Sequence, residues 1–132
     1  MARSSQPPAA SARRSSCPIS CALDLLGDRW TLLIIRDLFR GRTRYNELLA
    51  AHEGIPTNIL ADRLKRLQRA GLIRSKPYQQ NPPRYAYTLT PKGDALKTVL
   101  GALAQWSISH LRGTQDDPEL AAMLRAQAGQ RA

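Results

Sequence analysis

The chain has 132 residues, room for one domain with modest extensions. Its 20 Lys and Arg against 10 Asp and Glu leave a net charge of +10, which suits a polyanionic partner, most often nucleic acid. No uncharged apolar run approaches the ~20 residues of a transmembrane helix, no basic stretch pairs with a strongly apolar face, and the N-terminus lacks the apolar centre of a signal peptide.

These features predict a cytoplasmic, nucleoid-associated protein with no membrane partner, in which both Cys stay reduced. Residues 1–16, mainly Ser, Ala, Pro and Arg, read as a flexible basic tail. A first helix starts at Pro18, takes its apolar residues from Ala22, Leu23, Leu25 and Leu26, and ends at Gly27. A second covers 30–39, with Trp30, Leu33, Ile34 and Leu38 turned inward, and Gly41 closes it. Thr43 is placed to cap a short third helix through Ala51 that carries Tyr45, Leu48 and Leu49 inward. A turn over Glu53-Gly54-Ile55-Pro56 leads to a fourth helix, 57–70, stopped by Gly71. Short strands over 72–76 and 84–89 flank a loop holding Asn81, Pro82 and Pro83. Thr90-Pro91 opens a long helix to about Leu111, and Asp116-Asp117-Pro118-Glu119 repeats that start signal for a short helix to about Gln127.

The predicted class is mainly α with a small β-hairpin. A short helix, a tight turn, a second helix and a hairpin form a winged helix-turn-helix. Residues 17–111 form the DNA-binding domain, including a long C-terminal dimerisation helix, and 112–132 a C-terminal tail.

On the fourth helix Ile59, Leu60, Leu64, Leu67 and Ala70 fall on one side, by the helical period. The other side carries Asn58, Ala61, Asp62, Lys65 and Arg69, with Thr57 at its N-terminal tip. Asn bridges adenine N6 and N7, Lys or Arg reaches guanine O6 and N7, and Ala61 is small enough to meet a thymine methyl. Lys65, Arg66 and Arg69 suit phosphates, which set affinity and register without reading sequence. Arg63, near the edge of the apolar side, is expected to span to a carboxylate such as Glu47 or Asp37. The bland alternative for this face is an ordinary solvated surface. The hairpin adds Arg74, Lys76 and Arg84, with Pro82-Pro83 stiffening its tip. Arg42 and Arg44 stand at the start of the third helix, where charge and amide dipole favour the same anion.

On the long helix Leu96, Val99, Leu100, Leu103 and Trp106 form a stripe at three- and four-residue spacing. Such a stripe suits either intramolecular core or a dimer interface, and a domain this small favours the interface. Cys17 lies at a helix N-terminus, where the dipole lowers a thiol pKa. Cys21 follows one turn on, a spacing that aligns two thiols poorly for a bond within a regular helix. Two small, buried apolar residues are the competing reading. Cys17, Cys21, His52 and His110 share no zinc-finger spacing, so no metal or other cofactor is expected.

From Cys17 to about Leu111 the chain resembles the HxlR-type winged-helix transcriptional regulators. The matching segments are Cys17-Pro18, the run from Ala22 to Ile34, Arg44-Tyr45-Asn46-Glu47-Leu48, Gly54-Ile55, Leu60, Arg63-Leu64, Gly71-Leu72-Ile73 and the run from Pro83 to Gly93. The resemblance implies a homodimer that joins through terminal helices and binds double-stranded DNA at a near-palindromic site by its own or a neighbouring promoter. Two recognition helices would then enter successive major grooves. It also implies a Cys that answers electrophiles or oxidants, which makes Cys17 and Cys21 the sensing candidates. Pro56 stands where such regulators often have a capping Ser, and the tail from Arg112 onward has no counterpart.

An enzyme is not expected, because the chain offers no Gly-rich phosphate loop, metal-binding His pair or triad. The expected function is therefore a sequence-specific, homodimeric repressor, switched by thiol chemistry. A ligand-responsive regulator answering a small aromatic effector, and a nonspecific DNA-coating protein, are the alternatives.

Overall fold

A computed structural model describes residues 15–114, 117–120 and 122. Residues 1–14 of the expected tail over 1–16, and most of the expected helix to Gln127, lie outside the described residues. Among the described residues the elements follow in the order α1 (Pro18–Leu26), α2 (Thr31–Phe39), α3 (Tyr45–Leu49), α4 (Thr57–Arg69), β1 (Ile73–Gln80), β2 (Pro83–Leu89), α5 (Pro91–Asp94) and α6 (Lys97–His110).

Local chemistry sets the ends of these elements. Pro18 opens α1 at the position where its missing N–H costs nothing. Asp28 starts α2, its carboxylate accepting from the N–H groups of Trp30 and Thr31 at 3.1 and 3.2 Å. The third helix is not capped by Thr43. Glu47 reaches back instead, and its Oε1 accepts from the backbone N–H of Arg44 at 2.9 Å and of Thr43 at 3.3 Å. Gly71, with φ of 75°, ends α4 in the left-handed conformation that side chains resist.

The core lies between α2, α3, α4 and the base of the hairpin. Ile35, Leu48, Leu60, Leu64 and Leu67 are almost fully buried there, and Leu72, Ile73 and Leu100 close it. The hairpin is longer than expected, extending through Gln80 and resuming at Pro83. Its antiparallel register pairs Ile73 with Leu89 and Gln80 with Pro83, and an irregularity at Tyr78 admits one extra residue beside Pro77. A two-residue turn, with a cis Asn81–Pro82 bond, joins the strands. The segment before α3 lies along this sheet, through a bridge between Arg44 and Ala86 and a 2.8 Å bond from the Tyr87 N–H to the Thr43 carbonyl.

The expected long C-terminal helix is two helices. The Thr90 hydroxyl accepts from the Gly93 N–H at 3.2 Å and itself donates to the Gly71 carbonyl. Lys92 Nζ donates to the Ala70 carbonyl at 2.9 Å, and Thr90 N–H to that of Leu72 at 3.0 Å. These bonds pin α5 to the end of α4. A tight bond from Leu96 N–H to the Gly93 carbonyl, 3.0 Å, then redirects the chain into α6.

Near the C-terminus, Asp117 caps the start of the expected last helix through the N–H groups of Glu119 and Leu120, at 3.0 and 3.3 Å. Arg40, the residue just after α2, holds this segment by ion pairs to Asp117 and, at 3.0 Å, to Glu119.

Candidate nucleic-acid interface

Burying Leu60, Leu64 and Leu67 turns the opposite side of α4 to solvent. Thr57, Asn58, Ala61, Asp62, Lys65 and Arg69 are all exposed on it, and Arg66 is half-buried at its edge. The helix starts after Pro56 with no side-chain cap, so its first N–H groups have no side-chain acceptor. Among the described residues no hydrogen bond or ion pair engages the side chains of Asn58 or Lys65. Asp62 differs, because its carboxylate is held by the neighbouring Arg63.

The partner of Arg63 is neither Glu47 nor Asp37. Its Nε donates to Asp28 Oδ2 at 2.8 Å, tying the recognition helix to the turn between α1 and α2. Both expected acceptors are engaged elsewhere: Glu47 caps α3, and Asp37 is buried beneath Arg36 and Arg42, at 3.1 and 3.2 Å. Burial opposes ionisation of Asp28, but hydrogen bonds from Thr31, Arg63 and the Trp30 N–H outweigh it and hold its pKa at about 2. Glu53 falls to about 2 as well, chiefly because Arg36 grips it with two bonds of 2.8 Å.

A pH dependence follows from these two carboxylates. Both titrate lower in the folded chain than in the unfolded one, so the stability they contribute is complete above roughly pH 5 and lost as pH falls toward 2. Urea unfolding should show this acid limb, and Asp28→Asn combined with Glu53→Gln should flatten it. Asp28→Asn alone should cost about 2 kcal/mol at pH 7, since it weakens a charged bond to Arg63 and the cap on α2.

The hairpin carries chemically distinct faces. Arg74 pairs across the sheet with Thr88 and Lys76 with Ala86, which places both exposed cations on one face of β1. Ser75 and Pro77 pair with Tyr87 and Tyr85 on the other face. Arg84, exposed, stands one residue from the β2 start at the tip.

Arg42 and Arg44 do not converge on the start of α3 as expected. Arg42 bends back to Asp37, and the Arg44 guanidinium stacks over the Tyr78 ring at 4.2 Å. The N–H groups that were to attract an anion there already bind Glu47.

The C-terminal stripe is also divided. Leu100 is buried and Leu96 half-buried in the chain's own core, so neither belongs to an exposed interface stripe. Val99, Leu103 and Trp106 point outward at 42, 51 and 56 % exposure, and Ile19 and Leu23 of α1 are more exposed still. Cys17 is exposed at the start of α1, while the Cys21 thiol donates to the Ser15 carbonyl at 3.3 Å. Backbone N–H groups of Ser20 and Ile19 bond the Cys17 sulfur and lower its pKa from the ordinary thiol value. Among the described residues no cluster of three or more His, Cys, Asp or Glu side chains forms, and no helix is long and apolar enough to cross a membrane.

Sequence reasoning missed Asp28 as the hub between α2 and α4. It also missed that Tyr45 donates through its hydroxyl to the Thr57 carbonyl at 3.1 Å, joining α3 to the first residue of α4. An Asp three residues before a helical apolar run was a readable signal for the first; nothing local announced the second.

Comparison with known proteins agrees with this geometry. An HTH-type transcriptional regulator of Synechocystis sp., sll1512, is 40 % identical over 87 residues, covering 66 % of this chain and 64 % of its own length. The chain therefore spans a little under two thirds of that relative. The reduced form of the Bacillus subtilis transcriptional regulator YodB, which is also solved after diamide treatment, superposes with a TM-score of 0.62 at 32 % identity, covering 76 % of this chain and 100 % of that one. The redox regulator HypR in its oxidised form gives a TM-score of 0.64 at 27 % identity, with the same coverage of each chain. The HxlR-like helix-turn-helix family matches residues 25–115, most of the described structure. This chain belongs to that family of winged helix-turn-helix transcriptional regulators.

Proposed function

We propose that this chain is a cytoplasmic, nucleoid-associated, homodimeric repressor that occupies a near-palindromic operator. The observation that carries the reading is the exposed, unengaged Asn58–Ala61–Lys65 side of α4, standing on a rigid helix next to a cationic hairpin. In the major groove Asn58 and Ala61 would face base edges. Lys65, Arg66, Arg69, Arg74, Lys76 and Arg84 would contact phosphates, and Thr57 would stand nearest the backbone at the tip. Asp62 is left to accept from a cytosine amine or to position Arg63. Hydroxyl-radical footprinting tests this: the repressor reading expects two protected segments about one helical turn apart. Uniform protection along the fragment would favour a nonspecific coating protein.

Dimerisation is assigned to the outward side of α6, through Val99, Leu103 and Trp106, with Ile19 and Leu23 of α1 as further exposed apolar side chains. Leu103→Glu should shift the protein to a monomer in sedimentation velocity and abolish operator binding at concentrations where the parent saturates. A parent that sediments as a monomer would remove this part of the reading.

The signal we assign to thiol chemistry at Cys17. Its exposure and the two backbone N–H groups on its sulfur favour the reactive thiolate, and the likeness to YodB and HypR supports a redox response. Under limiting iodoacetamide at pH 7, Cys17 should be alkylated before Cys21, as read by peptide mass spectrometry. Cys17→Ser should abolish release from DNA by diamide. Release that survives the substitution would point to Cys21 or to a noncovalent effector.

A further inference from the structure

All four Tyr of the chain meet in one place. Tyr45 of α3 and Tyr78, Tyr85 and Tyr87 of the hairpin line a groove of about 350 Å³, together with Asn46 and Arg84. Tyr45 and Tyr87 are half-buried and pack one side against the aliphatic core, whereas Tyr78 and Tyr85 take no part in it and keep 40 and 44 % of their surface exposed. We propose that this groove binds a small planar aromatic anion, such as an aryl carboxylate, and that its occupancy opposes DNA binding.

The walls supply aromatic faces for stacking, and Arg84 supplies a guanidinium that matches a carboxylate in two bonds. Asn46 adds an amide that can donate or accept. A second cation, Arg44, sits on the Tyr78 ring and makes the local potential more positive. Among the described residues no hydrogen bond engages the hydroxyls of Tyr78, Tyr85 or Tyr87, so three phenolic donors belonging to the lining residues are unpaired. Burial, with Tyr45 and Tyr85 close by, raises the Tyr87 pKa and keeps that phenol protonated as a donor. The volume lies at the small end of ligand pockets, which fits one ring with its substituents rather than an extended molecule. A DNA backbone is the less suitable occupant, since duplex contacts rely on several cations on an accessible surface and this groove is concave with one lining cation.

The coupling to DNA is geometric and rests on the DNA-binding reading above. Arg84 cannot hold a ligand carboxylate and a phosphate with the same donors. Tyr45 also anchors the Thr57 carbonyl at the tip of the recognition helix, so a ligand that draws on its hydroxyl loosens that anchor.

Calorimetric titration of the full chain with benzoate tests the site without DNA, with cyclohexanecarboxylate as the non-planar control. Saturable binding of one benzoate per chain is expected. Binding should weaken at least about tenfold for the control and for Arg84→Gln and Tyr85→Ala, while Tyr85→Phe retains it. Circular dichroism melts identify any variant that does not fold, and Tyr85→Phe with Arg84→Gln then carries the comparison. Absence of saturable benzoate binding, or binding indifferent to these variants, overturns the proposal. So does a Tyr85→Ala defect seen only in DNA affinity, which would make the groove a DNA-backbone contact. A fluorescence titration of operator DNA at saturating benzoate reads the coupling separately, with an expected rise in Kd of at least about fivefold. If the protein binds no operator at all, the calorimetric result still decides the site.

Discussion

Replacing Asn58 and Lys65 by alanine should separate base reading from phosphate holding on the same helix. Asn58→Ala should cost about 1–3 kcal/mol of discrimination, a loss of roughly 5- to 150-fold at the operator with little change on scrambled DNA. Lys65→Ala should weaken both DNAs to a similar degree and reduce the salt slope of log K by about one. Both effects stem from how α4 is packed. Leu60, Leu64 and Leu67 are clamped in the core, and Arg63 holds Asp28 at 2.8 Å, so neither substitution touches the residues that fix the helix. Anisotropy titrations across a salt series would check this. Equal losses on both DNAs from Asn58→Ala would remove it as a base reader.

The second large effect concerns a glycine with an ordinary backbone conformation. A Cβ on Gly93 would lie 2.0 Å from the Leu72 carbonyl oxygen and 3.1 Å from Leu89 Cδ2. Helix propensity favours Gly93→Ala by up to about 1 kcal/mol. The clash opposes it and is the larger effect, because the carbonyl is fixed by the Thr90 N–H at 3.0 Å and cannot withdraw without breaking the pin on α5. We expect a net destabilisation of about 3 kcal/mol, a fall in Tm of roughly 10–20 °C for a domain of this size. Thermal melts followed by circular dichroism would measure it. A fall of less than about 3 °C would mean that the junction between α4, the hairpin and α5 is pliable.

The helices were legible where one short segment holds both the apolar period and the stop signal. Leu60, Leu64 and Leu67 with Gly71 located the recognition helix, and Pro18 located α1. The hairpin was placed but drawn too short, because two prolines argued against strand and the extra residue at Tyr78 that accommodates Pro77 leaves no local signature. The helix after the hairpin looked continuous by periodicity. Its break depends on contacts of Thr90, Lys92 and Gly93 with the end of α4, about twenty residues away in sequence. The same limit explains Arg63. Sequence identified a cation that needs a carboxylate but not which one, since Asp28 is 35 residues distant and nearer candidates were already engaged. Leu96 and Leu100 were assigned to an interface because a stripe does not reveal which of its edges the core takes.

The most direct test is anisotropy of the purified chain on the DNA upstream of its own gene, against a scrambled fragment, at near-physiological salt under reducing conditions. Upstream affinity should be tighter by at least about 10³-fold, the range of a specific regulator. Equal affinity for both fragments, together with a steep salt dependence, would contradict sequence-specific recognition at that site and leave a protein held to DNA by its charge alone.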